Sequence, residues 1–86
     1  MAQGLLAYRR IGPGQPVALE PDGSGGAFVL GEREGGLVLG RYGADPEQPP
    51  LWEITHPGEP RDLAVNAVYG RAYVLTAEGV EVFALW

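Results

Sequence analysis

The chain contains no cysteine, no lysine and only one histidine among its 86 residues. Without cysteine no disulfide framework can form, and only His56 could offer zinc a nitrogen ligand, so we predict no metal or cofactor site. The 6 basic residues, all arginine, are outnumbered by 11 acidic ones, for a net charge of -5. This charge excludes the basic surface that nucleic-acid binding requires. An arginine-only basic set also gives the chain a thermophile-like composition.

Long apolar runs are missing as well. No stretch approaches the roughly 20 residues of a membrane-spanning helix, so we expect no membrane insertion. The N-terminus lacks a basic segment followed by an apolar core, so we expect no signal peptide and favour a cytoplasmic location. Hydrophobic residues still make up 45% of the chain, which is too many for a disordered protein and indicates one small globular domain.

Glycine and proline, with 14 and 8 residues, separate short apolar runs along the whole chain. Each run has the length of a strand and is bounded by turn residues, which predicts an all-β protein without helices. The runs are Leu5–Tyr8, Val17–Leu19, Ala27–Leu30, Leu37–Leu39, Leu51–Ile54, Leu63–Val65, Ala72–Leu75 and Val80–Leu85.

The eight runs form two similar sets of four. A shift of 46 residues places Leu5 on Leu51, and after a small gap in a turn Ala27–Leu30 falls on Ala72–Leu75. The gaps lie in turns and the matches lie in strands, as expected of two halves that share one structure. We therefore predict an internal repeat.

Each half is predicted to form a four-stranded antiparallel sheet. The first covers residues 5–43 and the second covers residues 51–86. The segment 44–50 contains three prolines, which exclude a central strand there. We therefore predict that this segment is a linker between the two sheets. A four-stranded unit that repeats every roughly 40 to 50 residues is typical of a β-propeller blade. Consecutive apolar residues in Phe28–Leu30 and Tyr73–Leu75 indicate strands covered on both faces.

Short motifs recur in the second half. A proline-rich linker begins at Asp45, Pro57 and Gly58 form a turn signal, and three strand motifs follow in Asp62–Val65, Ala72–Val74 and Gly79–Val82. In this order the motifs resemble β-propeller repeats of the LVIVD and YVTN type, which the first half matches only in its apolar skeleton. The resemblance implies a propeller fold and a binding role, and it implies no catalytic residues.

Two blades cannot close a propeller, which typically has about four to eight. Each blade would leave an apolar face open to water, which monomeric proteins rarely tolerate. We therefore predict a head-to-tail ring of identical chains, with three chains favoured over four. The alternatives are a two-sheet sandwich or small barrel formed by one chain, and a fragment of a longer propeller.

The sequence shows no paired nucleophile and base, so we predict a non-enzymatic protein. The favoured function is a self-assembling module that acts in protein interaction or as a structural unit. The alternative is a lectin-like binder of carbohydrates or small ligands, with sites between blades. Aromatic residues and one Arg-Asp pair are the candidate interface or ligand-binding residues. They are Tyr8, Trp52, Arg61, Asp62, Tyr73 and Trp86.

Overall fold

A computed structural model describes residue 12, residues 14–45 and residues 47–85. These residues form seven strands. The strands are β1 (Gln15–Pro21), β2 (Ala27–Arg33), β3 (Gly36–Tyr42), β4 (Trp52–Pro57), β5 (Pro60–Asn66), β6 (Arg71–Thr76) and β7 (Gly79–Ala84). The predicted strand Leu5–Tyr8 lies outside the described residues. No helix long and apolar enough to cross a membrane occurs in the described ranges.

The strands form two antiparallel sheets, which confirms the predicted all-β class. The first sheet has the order β1-β2-β3-β4, and the second has the order β5-β6-β7. The second sheet thus has three strands within the described residues, where four were expected. The two sheets share one core, and the two-sheet sandwich considered as an alternative fits this arrangement.

The boundary between the sheets differs from the expected one. We expected Leu51–Ile54 to open the second sheet, but β4 pairs with β3 in the first. Strands β3 and β4 therefore form a hairpin within one sheet. A hydrogen bond of 2.7 Å from the Leu51 N–H to the Arg41 carbonyl oxygen starts the pairing. Prolines in a loop do not prevent the flanking strands from pairing. The chain changes sheets at Gly58 and Glu59, between β4 and β5.

One face of each sheet supplies the core. The core members are Phe28, Leu30, Leu37 and Leu39 of the first sheet with Leu63, Ala72 and Val74 of the second. None is more than 4% exposed. Burial of each large side chain contributes about 1.5–3 kcal/mol to the folding free energy before conformational entropy is counted. Strand β5 also contacts β1 and β2, which holds the two sheets together along that side.

The two sheets differ in how many of their faces are buried. In the first sheet, Val29 and Val38 point away from the core yet are only 5% and 1% exposed. In the second sheet, Val74 is fully buried while its neighbours Tyr73 and Leu75 are 40% and 46% exposed. The consecutive burial expected from the apolar runs is therefore present in β2 and β3 and absent from β6.

Candidate interaction surface

The second sheet exposes an apolar surface on the side away from the core. Tyr73 lies opposite Val82 across the β6–β7 pair, and Leu75 lies opposite Val80. Ala64 of β5 lies opposite Tyr73 and continues the same row. The four larger side chains are between 40% and 58% exposed. Directly opposed side chains contact each other on a sheet, so these five residues form one contiguous surface, called here the outer apolar face.

Along one edge of the same sheet, no described strand pairs. Strand β7 is the last strand of the second sheet and pairs only with β6 in the described part of the chain. An unpaired strand edge presents N–H and C=O groups to solvent and is a template for pairing with a further strand. The outer apolar face and this open edge meet along Val80 and Val82. Both features therefore lie on one side of the second sheet.

The two sheets contain the same three-stranded arrangement. Strands β1–β3 and β5–β7 are both antiparallel meanders. The first strand of each has a register shift that starts at a proline, Pro16 in β1 and Pro60 in β5. The last two strands of each are joined by a two-residue turn, residues 34–35 and residues 77–78. The positions of β3 and β7 can therefore be matched from their shared turn.

Matched positions point in opposite directions relative to the core. Counted from the turn, Val80 and Val82 of β7 correspond to Leu37 and Leu39 of β3. Leu37 and Leu39 are fully buried in the core, whereas Val80 and Val82 are 58% and 57% exposed. The sheets are thus stacked with like faces pointing the same way. The second sheet covers the face of the first sheet that carries Leu37 and Leu39. The corresponding face of the second sheet, which carries Val80 and Val82, is exposed.

Asp62 and Tyr73, two of the predicted site residues, lie close together on this side of the second sheet. Both line a shallow groove of about 150 Å³ with Ala64, Leu75 and Val80. The Leu63 N–H donates a hydrogen bond of 2.8 Å to the Asp62 carboxylate. The groove is smaller than the roughly 300–1,000 Å³ of typical small-molecule sites. The groove is therefore suited to accept part of a side chain.

Arg61 precedes Asp62 in sequence, but it forms its ion pair with Glu59. Its guanidinium lies 3.9 Å from the Glu59 carboxylate, and both side chains are more than half exposed. A pair of this kind contributes under about 1 kcal/mol because water and salt screen it. Within the described residues, Arg61 forms no other ion pair or side-chain hydrogen bond.

Trp52 lies on the core side of β4, away from the outer apolar face. Its ring packs against Phe28 with centroids 6.0 Å apart, and it is only half-buried. Beside it, Ile54, Ala84 and Leu85 line a second small cleft of about 160 Å³. Trp52 therefore completes the open end of the core. The other two aromatic candidates, Tyr8 and Trp86, lie outside the described residues.

His56 also takes part in packing between the sheets. Its ring meets the ring of Phe83 edge-on, with centroids 5.5 Å apart. Its Nδ1 lies 2.8 Å from the carbonyl oxygen of Pro57. No group of three or more acidic or histidine side chains that could bind a metal occurs in the described ranges.

The most organised polar cluster surrounds Asp22 in the loop between β1 and β2. Its Oδ1 accepts hydrogen bonds from the Ser24 N–H at 2.8 Å, from the Gly26 N–H at 2.9 Å and from the Ser24 hydroxyl at 3.1 Å. Its Oδ2 accepts one from Arg41 Nε at 3.2 Å. These bonds, led by that from the Ser24 N–H, hold the pKa of Asp22 below its ordinary value although burial opposes them.

The Asp22 cluster is built into the fold. Arg41, its cationic member, lies over the Phe28 ring, 5.3 Å from the ring centroid. At Gly26 a Cβ atom would collide with the backbone carbonyl oxygen of Tyr42, so only glycine fits. The cluster therefore closes the β1–β2 loop onto the end of β3, which is a structural role.

No protein-family model, no curated protein and no solved structure matches this chain. The similarity to LVIVD and YVTN repeats remains a prediction from sequence.

The sequence interpretation missed most of the outer apolar face. It named Tyr73 but not Leu75, Val80 or Val82, because the apolar run in β6 was read as buried on both faces. The useful signal was the alternation around Glu81 in β7, which places Val80 and Val82 on one face.

Proposed function

We propose that this protein is a non-enzymatic module that associates with copies of itself and acts in protein interaction or as a structural unit. The observation that carries the proposal is the outer apolar face. Monomeric proteins rarely expose contiguous apolar surface beyond a few hundred Å², and larger patches mark interaction sites. Tyr73 supplies the aromatic residue that is enriched in such interfaces.

The stacking of the two sheets favours a head-to-tail contact between copies. Within one chain, the face of β2 and β3 that carries Leu37 is covered by the second sheet. Val80 lies on the matching face of the second sheet and is exposed. A further sheet stacked in the same direction would cover it, and repetition of one rotation closes a ring when the rotation divides the circle. In such a ring the covering face is the one that carries Val29 and Val38 in the next copy. Because these two are only 5% and 1% exposed in one chain, the proposal requires the neighbouring copy to replace what covers them there.

A ring of three chains is the specific form that we propose. Its six sheets would be the blades of a propeller similar to the LVIVD and YVTN type, within the usual range of about four to eight. Four chains would give a larger ring of the same kind. In either ring, partner binding would take place at the exposed surfaces that the assembly leaves, for a protein partner or a glycan.

A lectin-like function is the second candidate. Asp62 and Tyr73 line one groove, and a carboxylate beside an aromatic ring is a combination that can hydrogen-bond and stack on a sugar ring. The groove is small in one chain, but a second copy docked over Leu75 would deepen it into a cleft between blades. Saturable binding of one sugar class that is lost in Tyr73→Ala would favour this candidate.

The proposal is tested by the absolute mass of the protein, measured by light scattering after size exclusion over a range of concentrations. A constant mass of three or four times the 9.1 kDa of one chain supports a closed ring. A mass of one chain at every concentration would contradict self-association. A mass that rises without limit would indicate open filaments and contradict ring closure.

A further inference from the structure

We infer that the open edge of β7 binds residues 5–9 of a second copy of this chain as a fourth strand of the second sheet. The inference rests on the proposed self-association and specifies how two copies join. It identifies the donor segment, the acceptor strand and the register of the pairing, each of which can be tested separately from the size of the assembly.

The first observation is the unequal number of strands in two otherwise matching sheets. In the first sheet, β4 pairs along the free side of β3. Strand β7 matches β3 in position, and within the described residues no strand pairs along its free side. Because β1–β3 and β5–β7 share one arrangement, the position beside β7 corresponds to that of β4.

The second observation is the sequence that matches β4. The shift that relates the two halves places Leu5–Tyr8 on Leu51–Ile54, which include the first residues of β4. The chain therefore carries two versions of this strand, and the first sheet uses the later one. Residues 5–8 lie outside the described residues. In a head-to-tail assembly each chain can donate its version to the neighbouring copy.

The register follows from the β3–β4 pair. There, Leu39 lies opposite Ile54, and Val38 lies opposite Thr55. Val82 and Glu81 correspond to Leu39 and Val38 by their distance from the turn. Tyr8 and Arg9 correspond to Ile54 and Thr55 by the shift between the halves. The pairing therefore sets Tyr8 of one copy opposite Val82 of the other, and Arg9 opposite Glu81.

The charges in this register are complementary. Glu81 is half-buried, and no ion pair or hydrogen bond engages its carboxylate within the described residues. A cross-strand arginine would pair with it, and opposite charges in directly opposed positions stabilise a sheet. The charges of Arg9 and Glu81 played no part in deriving the shift between the halves, so their complementarity supports the register independently.

The donated strand would also extend the outer apolar face. Tyr8 would take the position that Ile54 holds in the first sheet, and Leu6 the position of Trp52. Ile54 and Trp52 both pack against the core. In the first sheet, apolar side chains of β3 and β4 face the core. With Tyr8 and Leu6 added beside Val82, the second sheet would present apolar side chains at the corresponding positions to a neighbouring copy.

Disulfide trapping tests the pairing, because the natural chain has no cysteine to interfere. The test protein is the double variant Tyr8→Cys, Val82→Cys. Directly opposed residues on neighbouring strands have Cβ atoms about 4.5–5.5 Å apart, close enough for a disulfide after small adjustment. The matched control is Tyr8→Cys, Val68→Cys, since Val68 lies in the β5–β6 turn and is 84% exposed. Both proteins are oxidised under mild conditions and separated on a non-reducing gel.

We expect the Val82 variant to form bands of two and three linked chains that disappear on reduction, while the Val68 control stays mostly as single chains. A ring of three would end the ladder at three chains. A disulfide within a single chain, no cross-link, or equal ladders in both variants would overturn the inference. If the natural protein is an oligomer by light scattering but no cross-link forms, strand donation fails while self-association stands.

Charge reversal provides a second test that does not depend on cysteine geometry. Glu81→Arg places two arginines opposite each other and is expected to shift the concentration for half-assembly upward by about tenfold or more. Combining it with Arg9→Glu restores the opposite charges and is expected to recover assembly. If the double variant assembles no better than Glu81→Arg alone, with both folded by circular dichroism, the pairing is wrong.

Discussion

The two sheets of this protein have the same strand arrangement but different surroundings. The first buries residues on both faces of β2 and β3, whereas the second buries one face and leaves Tyr73 and Val82 in water. Within the described residues no packing accounts for the apolar character of the exposed face, since a solvent-facing strand normally alternates with polar residues. The difference supports the proposal that a second copy of the chain covers the second sheet.

The largest expected effect comes from comparing a leucine of the core with a leucine of the outer apolar face. Leu30 is fully buried, so Leu30→Ala is expected to lower the free energy of unfolding by about 3 kcal/mol. Leu75 is 46% exposed, so Leu75→Ala is expected to cost under about 1 kcal/mol. Both are measured by urea unfolding at low protein concentration, where association contributes least. Equal losses in the two variants would remove the distinction between the sheets.

The β1–β2 loop offers the next test, because the first sheet depends on its close packing. Gly26→Ala brings a methyl group against the Tyr42 backbone and is expected to cost about 2–3 kcal/mol of stability. Gly23→Ala is the control, since its Cβ would meet no atom within 4 Å and only the left-handed backbone, with φ of 85°, is strained. That strain costs about 1 kcal/mol. A harmless Gly26→Ala would contradict the described loop geometry.

Asp22 and Asn66 are the side chains that organise the first hairpin loop of each sheet. Asp22→Asn removes the charge from a buried cluster and is expected to cost about 2 kcal/mol. Asn66 accepts one exposed hydrogen bond of 3.3 Å from the Tyr69 N–H, so Asn66→Ala is expected to cost about 0.5 kcal/mol. Thermal unfolding of both variants tests whether the first loop is the more strongly specified one. The reverse order of losses would contradict this.

A smaller effect is expected in the pH dependence of stability, to which the Asp22 carboxyl group contributes. Because the pKa of Asp22 is lowered in the folded protein, its contribution is complete above its ordinary value of 3.8 and is lost as the pH falls through the lowered pKa. Acid unfolding of the natural protein is expected to show this loss, and Asp22→Asn to lack that part of it. Identical acid profiles for the two proteins would mean that the Asp22 cluster does not control acid stability.

The all-β class could be predicted from the sequence because glycine and proline break the chain into runs too short for helices. The grouping of strands into sheets could not be predicted in the same way. The run Leu51–Ile54 is compatible with either sheet, and only its pairing with β3 assigns it to the first. β3 and β4 pair as a hairpin although Pro49 and Pro50 precede β4, because both prolines lie outside the two strands.

The candidate surface was predictable only in part. Tyr73 was named from its aromatic character, and the structure places it in the middle of the outer apolar face. Trp52 was named for the same reason, but it packs against Phe28 at the end of the core. Composition cannot separate the two, because the face that an aromatic residue occupies depends on strand register.

The most direct test of the proposed interface is the mass of two matched variants, measured by light scattering at a concentration where the natural protein is assembled. Val82→Arg places a charge on the outer apolar face, and Val68→Arg places the same charge in the β5–β6 turn, where Val68 is 84% exposed. We expect Val82→Arg to have the mass of one chain and Val68→Arg to keep the mass of the natural protein. Equal masses for the two variants would contradict the account.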